Sequence, residues 1–200
     1  MKLDHSYYLG NNVVKIARNL IGKILFTHFE DVTCAGIITE TEAYAGIRDK
    51  ASHAYGGRRT ARTSIMYHQG GVAYVYLCYG MHALFNIVTG PSEVPDAILI
   101  RAIKPFYGED KINVRLEKSQ VKHGIIEGPG RVSKALGIKV IHTGVDLTGN
   151  MIWLGNTGIN IDPQDIICST RIGIAYAEED AQLPYRFNLS KRLAEVLKES

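Results

Sequence analysis

The apolar positions change period several times along the chain. Val13, Ile16, Ala17 and Leu20 recur at helical spacing behind Asn11-Asn12, a pair able to cap a helix, and Gly22 ends the run. KILFTHF and CAGIITETEAY follow with strand character on either side of Glu30-Asp31. Residues 46–70 lose any period and read as loop with a helical turn or two. AYVYLCYG and HALFNIV, parted by Gly80-Met81, predict a β-hairpin over 73–88, and DAILIRAIKPF predicts another strand between Pro95 and Pro105. Helices are expected over 109–121 and over 130–136, the second introduced by Gly128-Pro129-Gly130. Strands are expected at 151–154 and 165–175, and a last helix over 190–198 capped by Ser190. No internal repeat or linker breaks the chain. Strands that do not alternate regularly with helices predict one α+β domain over residues 1–200: a curved, mainly antiparallel sheet, flanking helices and a protruding β-hairpin.

Composition supports a single core, with 46% hydrophobic residues in 200. The start, MKLDHSYYLG, has no apolar signal core, and no run reaches the roughly 18 apolar residues of a membrane span, so no membrane partner is expected. Cys34, Cys78 and Cys168 lie far apart without CxxC spacing, which argues against a disulfide framework, a zinc ribbon or an iron–sulfur cluster. The expected setting is reducing: cytoplasm and nucleoid in a bacterium, nucleus in a eukaryote. Net charge is only +3, but its distribution is informative. Arg48, Lys50, Arg58, Arg59 and Arg62 face a single acid, Asp49, in one run; Lys111, Arg115, Lys118 and Lys122 face Glu117 in another. Such runs are usually solvated faces. The first, however, directly follows the glutamate strand and contains Gly56-Gly57, which suits a phosphate-facing loop.

Strand alternation puts Ile38, Glu40, Glu42 and Tyr44 on one face, so an apolar-looking strand carries two carboxylates and an aromatic side by side. Arg101, flanked by apolar residues, needs an anionic partner if buried, and Glu40 or Glu42 is the natural one. An internal salt bridge would satisfy it equally well. Asn86 shares a strand face with Leu84 and Val88 and must be hydrogen-bonded, either as a core residue or as a ligand reader. Tyr74, Tyr76 and Tyr79 fall within six residues, near Tyr44, Tyr55 and Tyr67. Aromatic stripes are mostly core, but Tyr79 falls at the expected hairpin tip, where a core role is awkward and wedging into a base stack is natural. His53 has no HExxH or His/Cys company, so no metal is expected.

Taken together, ETEAYAGIRDKASHAYGGRRTART, YVYLCYGMHALFNIV, DAILIRAIKP and GPGRVSKALGI resemble the alkyladenine (3-methyladenine) DNA glycosylases of the mammalian alkyladenine type, from about Ala17 to Leu189. The resemblance implies that Glu42 activates the hydrolytic water, with Arg101 near that water and the nucleotide backbone. It implies that Tyr44, His53 and Tyr76 sandwich a flipped base, that Leu99 lines the same pocket, and that Asn86 crowds a guanine 2-amino group. Tyr79 would fill the hole left in the duplex, while Arg58, Arg59, Arg62 and Met66 would meet the DNA backbone. The implied partner is damaged double-stranded DNA, bound by a monomer without cofactor or obligatory protein partner. The implied reaction frees 3-methyladenine, 7-methylguanine or hypoxanthine and leaves an abasic site. No lysine nucleophile is implied, so no strand cleavage is expected. The region 111–123 departs from the family's usual pattern, and SKRLAEVLKES is too generic to align.

Three rival readings compete. A hydrolase of O-linked sugars could use Glu40 and Glu42 as an inverting pair, but Trp153 is the lone tryptophan and the loops are basic, so Glu40 is read as structural. A non-catalytic module could merely stack bases on Tyr76 and Tyr79. GPGRVSKALG hints at a helix-hairpin-helix glycosylase but lacks a paired hairpin and a lysine context.

Overall fold

In a computed structural model, which describes residues 1–117, 124–156, 158, 161–190 and 193, local signals in the chain resolve into well-defined elements. After a 3₁₀ turn at His5–Leu9 comes α1 (Val13–Asn19), whose first turn is capped by Asn12 Oδ1 accepting from the Lys15 amide at 2.9 Å. Its buried face is Val13, Ile16 and Ala17, the spacing read from the sequence. β1 (Ile24–Phe29) and β2 (Val32–Tyr44) form a hairpin whose two-residue turn, Glu30-Asp31, has positive φ at both positions. Three short 3₁₀ turns occupy residues 46–67. β3 (Ala73–Cys78) and β4 (His82–Thr89) make the expected second hairpin. Its turn closes with the Met81 amide donating to Cys78 O, and positive φ at Tyr79 and Gly80 matches a primed turn.

β5 (Asp96–Tyr107) crosses the centre of the sheet, followed by α2 (Glu109–Arg115), the two-residue β6 (Ile126–Glu127) and α3 (Pro129–Leu136). Pro129 opens α3, and Gly137, at positive φ, closes it. β7 (Ile152–Gly155), β8 (Ile166–Ser169) and β9 (Arg186–Leu189) complete the sheet. Its order is β3-β4-β5-β2-β1-β7, with β6 on β5 and β9 between β2 and β8, and every pairing is antiparallel. This is the expected single α+β domain. Three expectations shift. The strand over 165–175 stops at Ser169, because residues 170–174 turn away and Gly173 takes a positive φ. The helix over 109–121 is helical to Arg115, and residues 118–123 lie outside the described residues. Most of the expected helix over 190–198 also lies outside them, although Ser190 Oγ does accept from the Leu193 amide at 3.3 Å. β9 was not anticipated at all.

The central irregularity sits where β2 meets β5. Ile38 faces Ile103, Glu40 faces Ala102 and Thr41 faces Ile100, so the pairing passes over Thr39 on one strand and Arg101 on the other. Such a bulge reverses which side chains point to which side. Ile38, Ala43, Ile98, Ile100 and Ile103 therefore all join the main core, and the Thr41 hydroxyl donates to Ala17 O of α1. The sequence-based expectation that Ile38 shares a face with Glu40, Glu42 and Tyr44 is corrected: uninterrupted alternation fails at the bulge. Arg101 stays in phase with Ala97 and Leu99 on the cavity side, where it meets the glutamates, while Ile103 beyond the bulge returns to the core.

Candidate active site

Glu42 has no exposed side-chain surface. Three donors converge on its two oxygens: the Tyr44 hydroxyl donates to Oε2 at 2.8 Å, Arg101 Nη1 to Oε2 at 3.1 Å, and the Ile172 amide to Oε1 at 2.8 Å. That set suits an acceptor-only carboxylate. Arg101 also donates from Nε to Glu40 Oε1 at 3.1 Å, so one guanidinium ties both glutamates together. Burial raises the pKa of the Glu40 carboxyl, opposed by the charges of Arg101 and Arg186. Burial likewise pushes the Tyr44 phenol well above its usual range, reinforced by the Glu42 charge, so Tyr44 remains a donor.

Beside this cluster lies a cavity of about 380 Å³. Tyr44, His53, Tyr76, Asn86, Leu99 and Arg101 all line it. The His53 and Tyr76 rings meet edge to face with centroids 4.6 Å apart. His53 Nδ1 lies 2.8 Å from the Tyr74 hydroxyl. Burial, helped by the charges of Arg62 and Arg58, lowers the His53 pKa to about 4, so its ring is neutral at physiological pH. Asn86 is buried, and its Nδ2 donates to Tyr74 O and Leu84 O at 3.2 Å each. Glu42 itself does not line the cavity; the three residues that hold it do.

Tyr79 stands at the cavity's lip on the hairpin tip, 89% exposed and at a positive φ, which bulky side chains seldom adopt. Arg58, Arg59 and Arg62 are exposed in the loop alongside. Arg59 is shared with Glu93 through two bonds and packs over the Tyr67 ring. Met66 departs from its expected place at the DNA backbone. Its side chain is 1% exposed in the cavity wall, and its amide donates to Thr63 O. Apolar packing beneath Tyr67 and Tyr74 takes it inside.

Sequence reasoning missed Ile172, Gly173, Ile174 and Tyr176, which form a further wall of the cavity, and the buried pair Asp49–Arg171 behind them. Local pattern held no signal for them, since Ile172 reaches Glu42 across 130 positions. Among the described residues no group of three or more His, Cys, Asp or Glu could hold a metal ion, and no helix is long and apolar enough to cross a membrane.

An α+β domain with a ring-lined cavity, a hydrogen-bonded carboxylate behind it and basic loops at its mouth defines the class. A family model described as methylpurine-DNA glycosylase (MPG) matches residues 7–192. Proteins named "Putative 3-methyladenine DNA glycosylase" are similar over nearly their whole length. The one from Chlamydia felis is 47% identical, covering 94% of this chain and 96% of that protein. That from Borrelia garinii is 42% identical over 87% and 88%, and that from Desulfitobacterium hafniense 39% over 94% and 95%. The chain belongs to the methylpurine-DNA glycosylase family: it is a DNA glycosylase of base excision repair, a hydrolase acting on N-glycosyl bonds.

Proposed function

We propose that this glycosylase, acting as a monomer on duplex DNA, extrudes alkylated or deaminated purines into the cavity and hydrolyses their N-glycosidic bond with a water activated by Glu42. The reading extends to 3-methyladenine, 7-methylguanine and hypoxanthine, and to the site chemistry of the mammalian alkyladenine type. The observation that supports it most is the placement of a buried carboxylate, held by three donors, directly behind residues that line an aromatic cavity.

Departure of the base builds positive charge on the sugar. An ionised Glu42 stabilises that charge and polarises the attacking water, the second effect being worth about 10²–10⁴-fold. A carboxylate offers about four acceptor positions, and Tyr44, Arg101 and Ile172 take three, leaving one for water. Because Glu42 is closed to solvent, that water reaches it with a small movement of Tyr44 or of the turn at Ile172. Neutral rings at Tyr44, His53 and Tyr76 accept a cationic purine without charge repulsion, and their π-faces attract it by about 0.5–2 kcal/mol. Asn86 narrows the cavity against a 2-amino group. Extrusion costs a few kcal/mol, less for damaged bases, and Tyr79 offsets it by occupying the gap. The water, not a lysine, is the nucleophile, so release proceeds without strand cleavage.

The test is duplex DNA carrying hypoxanthine or 3-methyladenine, incubated without metal and assayed for free base and alkali-labile sites. Wild type is expected to release base, whereas Glu42→Gln is expected to bind the same duplex and release at a rate lower by about 10²–10⁴. Equal release by both proteins removes Glu42 from the chemistry. Binding without release by wild type selects the non-catalytic stacking module.

A further inference from the structure

Asp49 and Arg171 form a buried ion pair with no part in the sequence-based site. The guanidinium is fully buried and meets both oxygens of Asp49, with Nη2 donating to Oδ1 at 2.8 Å. Asp49 also accepts from the amides of Ala45 and Ala51 at 2.9 and 3.0 Å, filling its acceptor capacity. Arg171 donates further to Ala43 O at 2.9 Å and Asp180 O at 3.2 Å, and lies 4.9 Å from the Tyr44 ring centroid and 5.3 Å from that of Tyr185. Three of these links lead to Glu42: the Ala43 carbonyl, the Tyr44 ring and the chain step to Ile172. Ala43 and Tyr44 follow Glu42 on β2, and Ile172, whose amide grips Oε1, directly follows Arg171.

Buried ion pairs are weak devices for stability, since well-packed apolar residues in their place are often neutral or better. This pair instead spans the strand that carries Glu42 and the turn that covers it, and it stacks on the tyrosine that donates to Glu42. We propose that Asp49 and Arg171 are positioning residues for catalysis: they fix the Ile172 amide and the Tyr44 hydroxyl on Glu42, so that its remaining acceptor position holds the attacking water in line with the reacting sugar. The inference rests on the glycosylase reading above. A misplacement of about 1 Å in such a site can cost about 10²-fold in rate.

The experiment compares wild type, Arg171→Lys and the double variant Asp49→Leu/Arg171→Met on a hypoxanthine duplex, under single turnover with enzyme in excess. Lysine keeps the charge but cannot reach Asp49 and Ala43 O with a planar fork; the double variant removes both charges together and avoids an orphaned one. For each folded variant the expected result is a maximal rate lower by about 10- to 100-fold, with the enzyme concentration giving half-maximal rate unchanged. A wild-type maximal rate in either folded variant overturns the proposal. So does a loss of rate matched by a rise in half-saturation, or a failure of both variants to fold, since each assigns the pair to the scaffold alone. Wild type that releases no base sinks the glycosylase mechanism itself and this inference with it, a result distinct from all the others.

Discussion

The same residue type behaves differently in the inner wall of the cavity and on its outer rim. Inside, Arg101 is 12% exposed and held by Glu40 and Glu42, while Arg171 is fully buried on Asp49. Outside, Arg59 is half exposed on Glu93, and Arg58 and Arg62 stand in the solvent-facing loop. Removing an inner arginine strands a carboxylate with little or no exposure to solvent, a cost of several kcal/mol. A rim arginine exchanges one solvated partner for another and contributes about 0–1 kcal/mol to stability. Position in the wall therefore decides whether an arginine is locked to a buried carboxylate or left in contact with solvent.

The largest effect expected from this contrast is at Arg101. Arg101→Ala leaves Glu42 and Glu40 without their shared cation and should destabilise the fold by about 3–5 kcal/mol. Arg62→Ala should stay within about 0.5 kcal/mol of wild type. Denaturant midpoints at constant slope measure both. A loss at Arg101 no larger than at Arg62 would mean that water, not the guanidinium, satisfies the glutamates.

How much of this was visible in the sequence follows from the range of the forces involved. The helix cap at Asn12, the turn at Glu30-Asp31, the hairpin tip at Tyr79-Gly80 and the start of α3 at Pro129 are set by near neighbours, and all were legible. The meeting of Arg101 with the glutamates was legible too, because a charge in an apolar strand must find its opposite. The bulge at Thr39 and Arg101 was not, since it arises from pairing between strands about 60 positions apart. Likewise the Arg171 clamp and the Ile172 contact bridge 122 to 130 positions, and RIGI reads locally as the end of a strand. Local pattern gave the walls their residues; only tertiary contact gave them their fourth side.

An intermediate effect should appear in acid, again in the interior. His53 has its pKa lowered to about 4 by burial and by the charges of Arg62 and Arg58, so between pH 6.5 and 4 the unfolded chain takes a proton that the folded one refuses. Its contribution to stability therefore falls as pH falls through that window. Asp96 is raised to about 6, mainly by burial and secondarily by the Asp49 charge, so its contribution falls as pH rises from 3.8 through 6. The two oppose each other between about pH 4 and 6. Relative to wild type, His53→Gln should gain stability on going from pH 6.5 to 4, and Asp96→Asn should lose it. Urea titrations across that range decide the matter, and parallel curves for all three proteins would show that neither group titrates abnormally.

The smallest effect belongs to the rim, where it separates two arginines only three positions apart. Each phosphate neutralised releases counterion, so losing one contact should reduce the slope of log affinity against log salt by about 0.9. Arg62 has no ion-pair partner among the described residues, though it lies 6.0 Å from the Tyr76 ring centroid, and Arg62→Ala should show that full reduction. Arg59 must first give up two bonds to Glu93, and the carboxylate it leaves behind repels phosphate. Arg59→Ala should therefore change the slope less than Arg62→Ala, while Glu93→Gln should strengthen binding and steepen the slope as Arg59 is freed. Binding isotherms for a lesion duplex at several salt concentrations measure all three. A Glu93→Gln protein with wild-type affinity and slope would show that Arg59 does not face the DNA.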